Sequence, residues 1–109
     1  METKARRAGE TLVIDIAGDV NMLTSDSLRD ELKELVKENE TRVAINLSGV
    51  AFMDSSGIAT LVECLGRVRK QGGTLRLFGV RDRIRDMFAM ARLDKMFSIC
   101  QNEAEALTK

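Results

Sequence analysis

A chain of 109 residues is close to the modal size of one domain, so a single folding unit spanning residues 1–109 is expected. With 44% hydrophobic and 31% charged residues it has an ordinary globular composition, which argues against disorder, and no apolar run approaches the ~20 residues that cross a bilayer. Lys plus Arg and Asp plus Glu both total 17, so no net field draws the chain to nucleic acid or anionic lipid; the complete absence of His removes the commonest general base and metal ligand.

The opening Met1-Glu2-Thr3-Lys4-Ala5-Arg6-Arg7 lacks the apolar stretch of a secretion signal, so a cytoplasmic location without membrane insertion is expected. Cys64 and Cys100 are too few and too far apart for a disulfide framework or a Cys-x-x-Cys site, and they read as reduced packing residues. No metal or other cofactor is expected.

Residues 4–7 are expected to pair in a hairpin with Thr11-Leu12-Val13-Ile14-Asp15-Ile16, a run rich in β-branched residues, with Ala8-Gly9-Glu10 as the turn. From Thr24 the period becomes helical, placing Leu28, Leu32, Leu35 and Val36 on one face, with Thr24 or Ser25 as N-cap. Arg42-Val43-Ala44-Ile45-Asn46-Leu47 is nearly continuous in apolar residues, as a central strand buried on both faces would be. A second helix is predicted from about Ser55 to Gln71, burying Ile58, Leu61, Val62, Leu65 and Val68 and ending at Gly72-Gly73. Thr74 to Phe78 alternates like a strand. A third helix follows with Ile84, Met87, Phe88 and Ala91 as its apolar stripe, and Met87 and Met90 as core or groove filler. Met96 to Cys100 fits a last strand and residues 102–107 a short terminal helix. This alternation implies an α/β fold: a mostly parallel sheet of four to five strands with about four helices packed on it.

Charge is unevenly spread. The stretch from Asp26 to Glu40 is rich in acids, whereas Arg67 to Lys95 holds nine bases against Asp82, Asp86 and Asp94, which suggests two differently charged faces. Without His, a Ser-His-Asp triad cannot be assembled, and Asp15 with Asp19 is a poor substitute for the acidic pair of a phosphoaspartyl receiver using Asp54.

The segment Met53-Asp54-Ser55-Ser56-Gly57 sets two hydroxyls at the start of a helix, just after a buried strand. Free N–H groups and the helix dipole at such a position can accept an anion such as a phosphoserine; equally, Asp54 or Ser55 can simply cap the helix while Gly57 permits tight packing.

From Gly18-Asp19-Val20-Asn21 through Phe97 the chain resembles the STAS domain of bacterial anti-sigma factor antagonists. Ile45-Asn46-Leu47-Ser48-Gly49-Val50-Ala51-Phe52-Met53-Asp54-Ser55-Ser56-Gly57 is its most specific segment, supported by Gln71 to Leu75 and Phe88 to Phe97. The resemblance implies a non-enzymatic, partner-switching protein. Unphosphorylated, it would bind an anti-sigma factor that is also a serine kinase, releasing a sigma factor; phosphorylation at Ser55 would end binding, and a PP2C-type serine phosphatase would restore it. Asp19, Asn21, Asp54, Ser56, Gly57 and Ile58 would then belong to the partner-binding region, in a monomer or weak dimer. Where many relatives have Gly-x-Leu-Asp, this chain has Gly18-Asp19-Val20-Asn21, an amide for a carboxylate. A second possibility keeps the fold as a constitutive scaffold subunit of a lipid-transport or stress-signalling complex, with Ser55 unmodified.

Overall fold

The computed structural model describes residues 1–108. Its elements follow in the order β1 (Glu2–Ala8), β2 (Thr11–Ala17), α1 (Ser25–Leu35), β3 (Arg42–Gly49), α2 (Ser55–Lys70), β4 (Thr74–Phe78), α3 (Asp82–Met90), β5 (Ser98–Ile99) and α4 (Glu103–Thr108). The strands form one sheet in the order β1-β2-β3-β4-β5, antiparallel between β1 and β2 and parallel elsewhere. The expected α/β architecture is present, including the initial hairpin and the central position of β3.

Alternation along the strands builds two layers, because successive side chains point to opposite faces. Leu12, Ile14 and Ile16 of β2, Val43, Ile45 and Leu47 of β3, and Leu75 and Leu77 of β4 face one way. They meet Leu28, Leu32 and Val36 from α1 and its C-cap, Ile58, Leu61, Leu65 and Val68 from α2, and Ile84 and Phe88 from α3. The opposite face carries a smaller cluster, Val13, Ala44, Phe78 and Cys100, covered by Ala106 of α4. Both cysteines are buried, and neither is in a disulfide among the described residues.

Helix ends explain where the structure departs from the periodicity. After α2, Gly73 N–H donates to Val68 and Gly72 N–H to Arg69 while Gly72 adopts φ 77, a Schellman termination at the predicted glycine pair. The same pattern closes α3 without glycine: Leu93 N–H donates to Phe88, Arg92 N–H to Ala89, and Arg92 adopts φ 60. That closure falls before Ala91 can join the apolar stripe, so Ala91 is exposed, and Met90 points to solvent rather than filling the core. The turn continues, with Met96 and Phe97 N–H both donating to Leu93, which leaves Ser98 and Ile99 as the paired residues of the expected strand 96–100.

The small α4 layer is tied down by ion pairs. Arg6 of β1 grips Asp15 (Nε to Oδ2, 2.8 Å) and Glu103 (Nη2 to Oε1, 2.6 Å), and Asn46 Nδ2 donates to Asp15 Oδ1 at 2.8 Å. Hydrogen bonds from Arg6 hold both carboxyls below their ordinary values. Because the folded values are depressed, this clamp stabilises the fold above the ordinary carboxylate range and is lost as pH falls through the lower, folded values. Arg6→Met should therefore lower the melting temperature by a few degrees at pH 7. That gap between variant and parent should close on acidification below the unperturbed values of 3.8 and 4.5. Circular-dichroism melts across this pH range check both statements.

Candidate functional site

Two loops leave the carboxyl ends of parallel strands and are stitched together backbone to backbone. Gly18 N–H donates to Gly49 O (2.9 Å), Val20 N–H to Phe52 O (3.0 Å) and Asp54 N–H to Val20 O (3.0 Å), with Val20 and Met53 bridged in parallel. The β2–α1 and β3–α2 connections thus form one surface, on which α2 begins.

Asp54 is the N-cap of α2. Its Oδ1 accepts the Ser56 hydroxyl (2.5 Å), Ser56 N–H (2.9 Å) and Gly57 N–H (3.4 Å). These bonds, the Ser56 hydroxyl foremost, hold the carboxyl below its ordinary value despite the opposing cost of desolvation. Gly57 and Ile58 N–H donate to Asp54 O, so the amides of Ser56, Gly57 and Ile58 that an incoming anion would use are already engaged by Asp54. A phosphate here would stand outside the cap and beside a carboxylate, instead of resting on free amides.

The two serines are placed differently. Ser56 is half-buried with its hydroxyl committed to Asp54, whereas Ser55, the first helical residue, is exposed and makes no side-chain hydrogen bond among the described residues. Asp19 is exposed on the adjoining loop. Asn21 Oδ1 accepts Leu23 N–H at 2.9 Å, and Thr24 Oγ1 accepts Asn21 N–H (3.0 Å) and donates to Asp19 O (3.0 Å). Thr24 is the N-cap of α1 by position, but its hydroxyl braces this loop instead of the helix. The Asn21 amide oxygen makes a bond that a carboxylate could equally accept. Gly57 and Ile58 are buried, so they support this surface from beneath.

Periodicity did not single out the apolar part of the site. Leu23 is 92% exposed, Met22 79% and Phe52 45%, all on the stitched loops around Asp54. The available signal was an apolar pair, Met22-Leu23, between the turn residue Asn21 and an N-cap, where no helix or strand accounts for it. Between the helices, Arg29 and Lys33 of α1 reach Glu63 of α2. Among the described residues, no group of three or more Cys, Asp or Glu is arranged to hold a metal ion, and no helix is long and apolar enough to cross a membrane.

Residues 2–106 match the STAS domain family. The anti-sigma-B factor antagonist of Bacillus subtilis (strain 168) is 30% identical over 86 residues, which cover 79% of this chain and 78% of that protein. Among solved structures, an anti-sigma factor antagonist from Mycobacterium paratuberculosis superposes with a TM-score of 0.89 at 23% identity, covering 98% of this chain and 91% of that one. The Bacillus cell fate determinant SpoIIAA, solved in its phosphorylated form, gives a TM-score of 0.73 at 20% identity, covering 97% of this chain and 96% of that one.

The close fit beneath Ser55 generates a stability test. A Cβ at Gly57 would lie 2.7 Å from both Met53 Cγ and Val20 Cγ1, which are buried. Gly57→Ala gains helix propensity of up to about 1 kcal/mol, but overpacking typically costs about 1–3 kcal/mol. The net expectation is destabilisation on the order of 1 kcal/mol, seen in urea denaturation as a lower midpoint at unchanged slope.

Proposed function

The chain belongs to the STAS domain family, and from that premise we propose that it is an anti-sigma factor antagonist whose binding is switched by phosphorylation of Ser55. In the unphosphorylated state it binds an anti-sigma factor that also acts as a serine kinase, and so frees a sigma factor. A PP2C-type phosphatase resets the cycle. The observation that carries this proposal is the contrast between an exposed, unbonded Ser55 hydroxyl and its neighbour Ser56, whose hydroxyl is held by Asp54.

Binding uses the stitched-loop surface. Leu23, Met22 and Phe52 supply apolar area that a partner can desolvate, while Asp19 borders it with negative charge. Asn21 sets the shape of the tip through Leu23 N–H, Asp54 ties the two loops through Val20 O, and Ser56, Gly57 and Ile58 fix the start of α2 below it. A phosphoserine carries about −1.5 to −2 charge at neutral pH. Placed at Ser55 it meets the Asp54 carboxylate and a surface built to be desolvated. Binding is lost through repulsion and solvation, with no unfolding of α2 required. Nucleotide and Mg²⁺ chemistry belong to the kinase partner; this chain contributes the acceptor hydroxyl.

Incubation with the cognate anti-sigma factor kinase and ATP should add one phosphate to the parent protein and to Ser56→Ala, and none to Ser55→Ala, as read by intact mass and peptide mapping. Undiminished labelling of Ser55→Ala removes Ser55 as the acceptor. Ser55→Asp should weaken binding to the same partner by at least ~10-fold, about 1.4 kcal/mol, in calorimetry. Equal binding of Ser55→Asp and parent would instead favour the constitutive scaffold.

A further inference from the structure

At the opposite end of the sheet from Ser55, where β3 and β4 begin, Thr41, Arg42, Gly72, Thr74 and Arg76 line an open recess of about 340 Å³. Its floor is set by the Schellman turn that ends α2. Gly73 packs so tightly against Thr41 that a Cβ there would lie 2.8 Å from the Thr41 Cα, and Thr74 N–H donates to Thr41 O at 2.8 Å. Arg42 is in register with Thr74, and Ala44 with Arg76, so the two arginines and Thr74 stand on the same face of adjacent strands.

Two guanidiniums placed diagonally on neighbouring strands repel one another unless a counter-charge lies between them. Elsewhere Arg6 holds Asp15 and Glu103, Arg7 holds Glu40 and Arg29 holds Asp26 and Glu63, while Arg67, Arg69 and Arg81 donate to carbonyl oxygens. Among the described residues, neither Arg42 nor Arg76 is ion-paired. Arg42 donates once, to Leu107 O at 2.9 Å, and Arg76 once, to Thr74 Oγ1 at 3.1 Å. A guanidinium carries five donors, so most of the hydrogen-bonding capacity of both remains. The adjoining Glu40 carboxylate is turned to Arg7.

The bases in the groove between α1 and α2 differ in this respect. Lys33, Lys37, Arg67 and Lys70 lie at or near helix C-termini, where the macrodipole itself favours cations. Arg42 shares that explanation in part, since its one bond goes to Leu107 O in the last turn of α4, whereas Arg76 lies on a strand and, among the described residues, bonds to no helix end.

We propose that Arg42, Arg76 and Thr74 form a subsite for a small oxyanion of the phosphate class, independent of the Ser55 switch. Such an anion takes paired donors from the two guanidiniums and relieves their repulsion, with the Thr74 hydroxyl as an additional donor. The test is a titration of the ¹⁵N-labelled full chain with inorganic phosphate at constant ionic strength, with sodium chloride as the control; adenosine monophosphate serves as a second probe. Saturable shifts confined to the Gly72–Thr74 amides and the Arg42 and Arg76 Nε–H groups, with a dissociation constant near ~1 mM, are expected. Both Arg76→Gln and Thr74→Val, checked for native spectral dispersion, should weaken them, the former by ~10-fold or more. Saturation by phosphate assigns the site to the free anion, and saturation by the monophosphate alone assigns it to a phosphate ester. Shifts that never saturate, that spread equally over Lys33, Lys37 and Lys70, or that persist unchanged in either variant overturn the proposal.

Discussion

The carboxylate of Asp54 is the point on which the functional end of the molecule depends. It caps α2 through Ser56 and Gly57 and takes the Ser56 hydroxyl, while the backbone N–H of the same residue donates to Val20 O in the other loop. Caps normally serve one helix; this residue also joins two chain segments that leave different strands. Without that anion the start of α2 would lose its donors' partner. The surrounding geometry allows little compensation, because Gly57 already lies against Met53 and Val20 with no room for a Cβ.

The same arrangement explains how one chain could separate folding from signalling. The residues that fix the shape, Asp54, Ser56 and Gly57, are half-buried or buried, whereas Ser55 is exposed. A charge placed on the one hydroxyl with no structural duty changes the surface potential without removing a bond that holds the helix. A group added to Ser56 would compete directly with the cap.

Much of the fold was legible in the sequence because its signals are local. The β-branched run from Thr11 to Ile16, the i, i+4 spacing of Leu28 and Leu32, and the Gly72-Gly73 stop each specify an element without reference to the rest of the chain. Errors arose where a non-local or conformational choice decided the outcome. Arg92 takes a left-handed conformation usually left to glycine, and so ends α3 before Ala91 without any compositional cue. Met96 and Phe97 are spent on the turn that follows, which truncates β5. At the site, the motif made Asp54 and Ser55 visible, but the difference between the two serines required knowing where each hydroxyl points. The exposed Met22-Leu23 pair was hidden because hydrophobic residues are read as core by default, and the reach of Arg6 to Glu103 because nothing local links residues so far apart.

The two borders of the sheet bear on how the molecule meets its own copies. β1 is a full-length border strand, and Glu2, Lys4, Arg6 and Arg7 place charge along it, while β5 pairs through only two residues. A strand added at the first border would have to bury or displace charged side chains, and the second is too short to template one. Backbone-driven stacking into fibres is thereby discouraged at both margins, and the exposed Met22, Leu23 and Phe52 side chains are tolerated with less risk of polymerisation through the sheet.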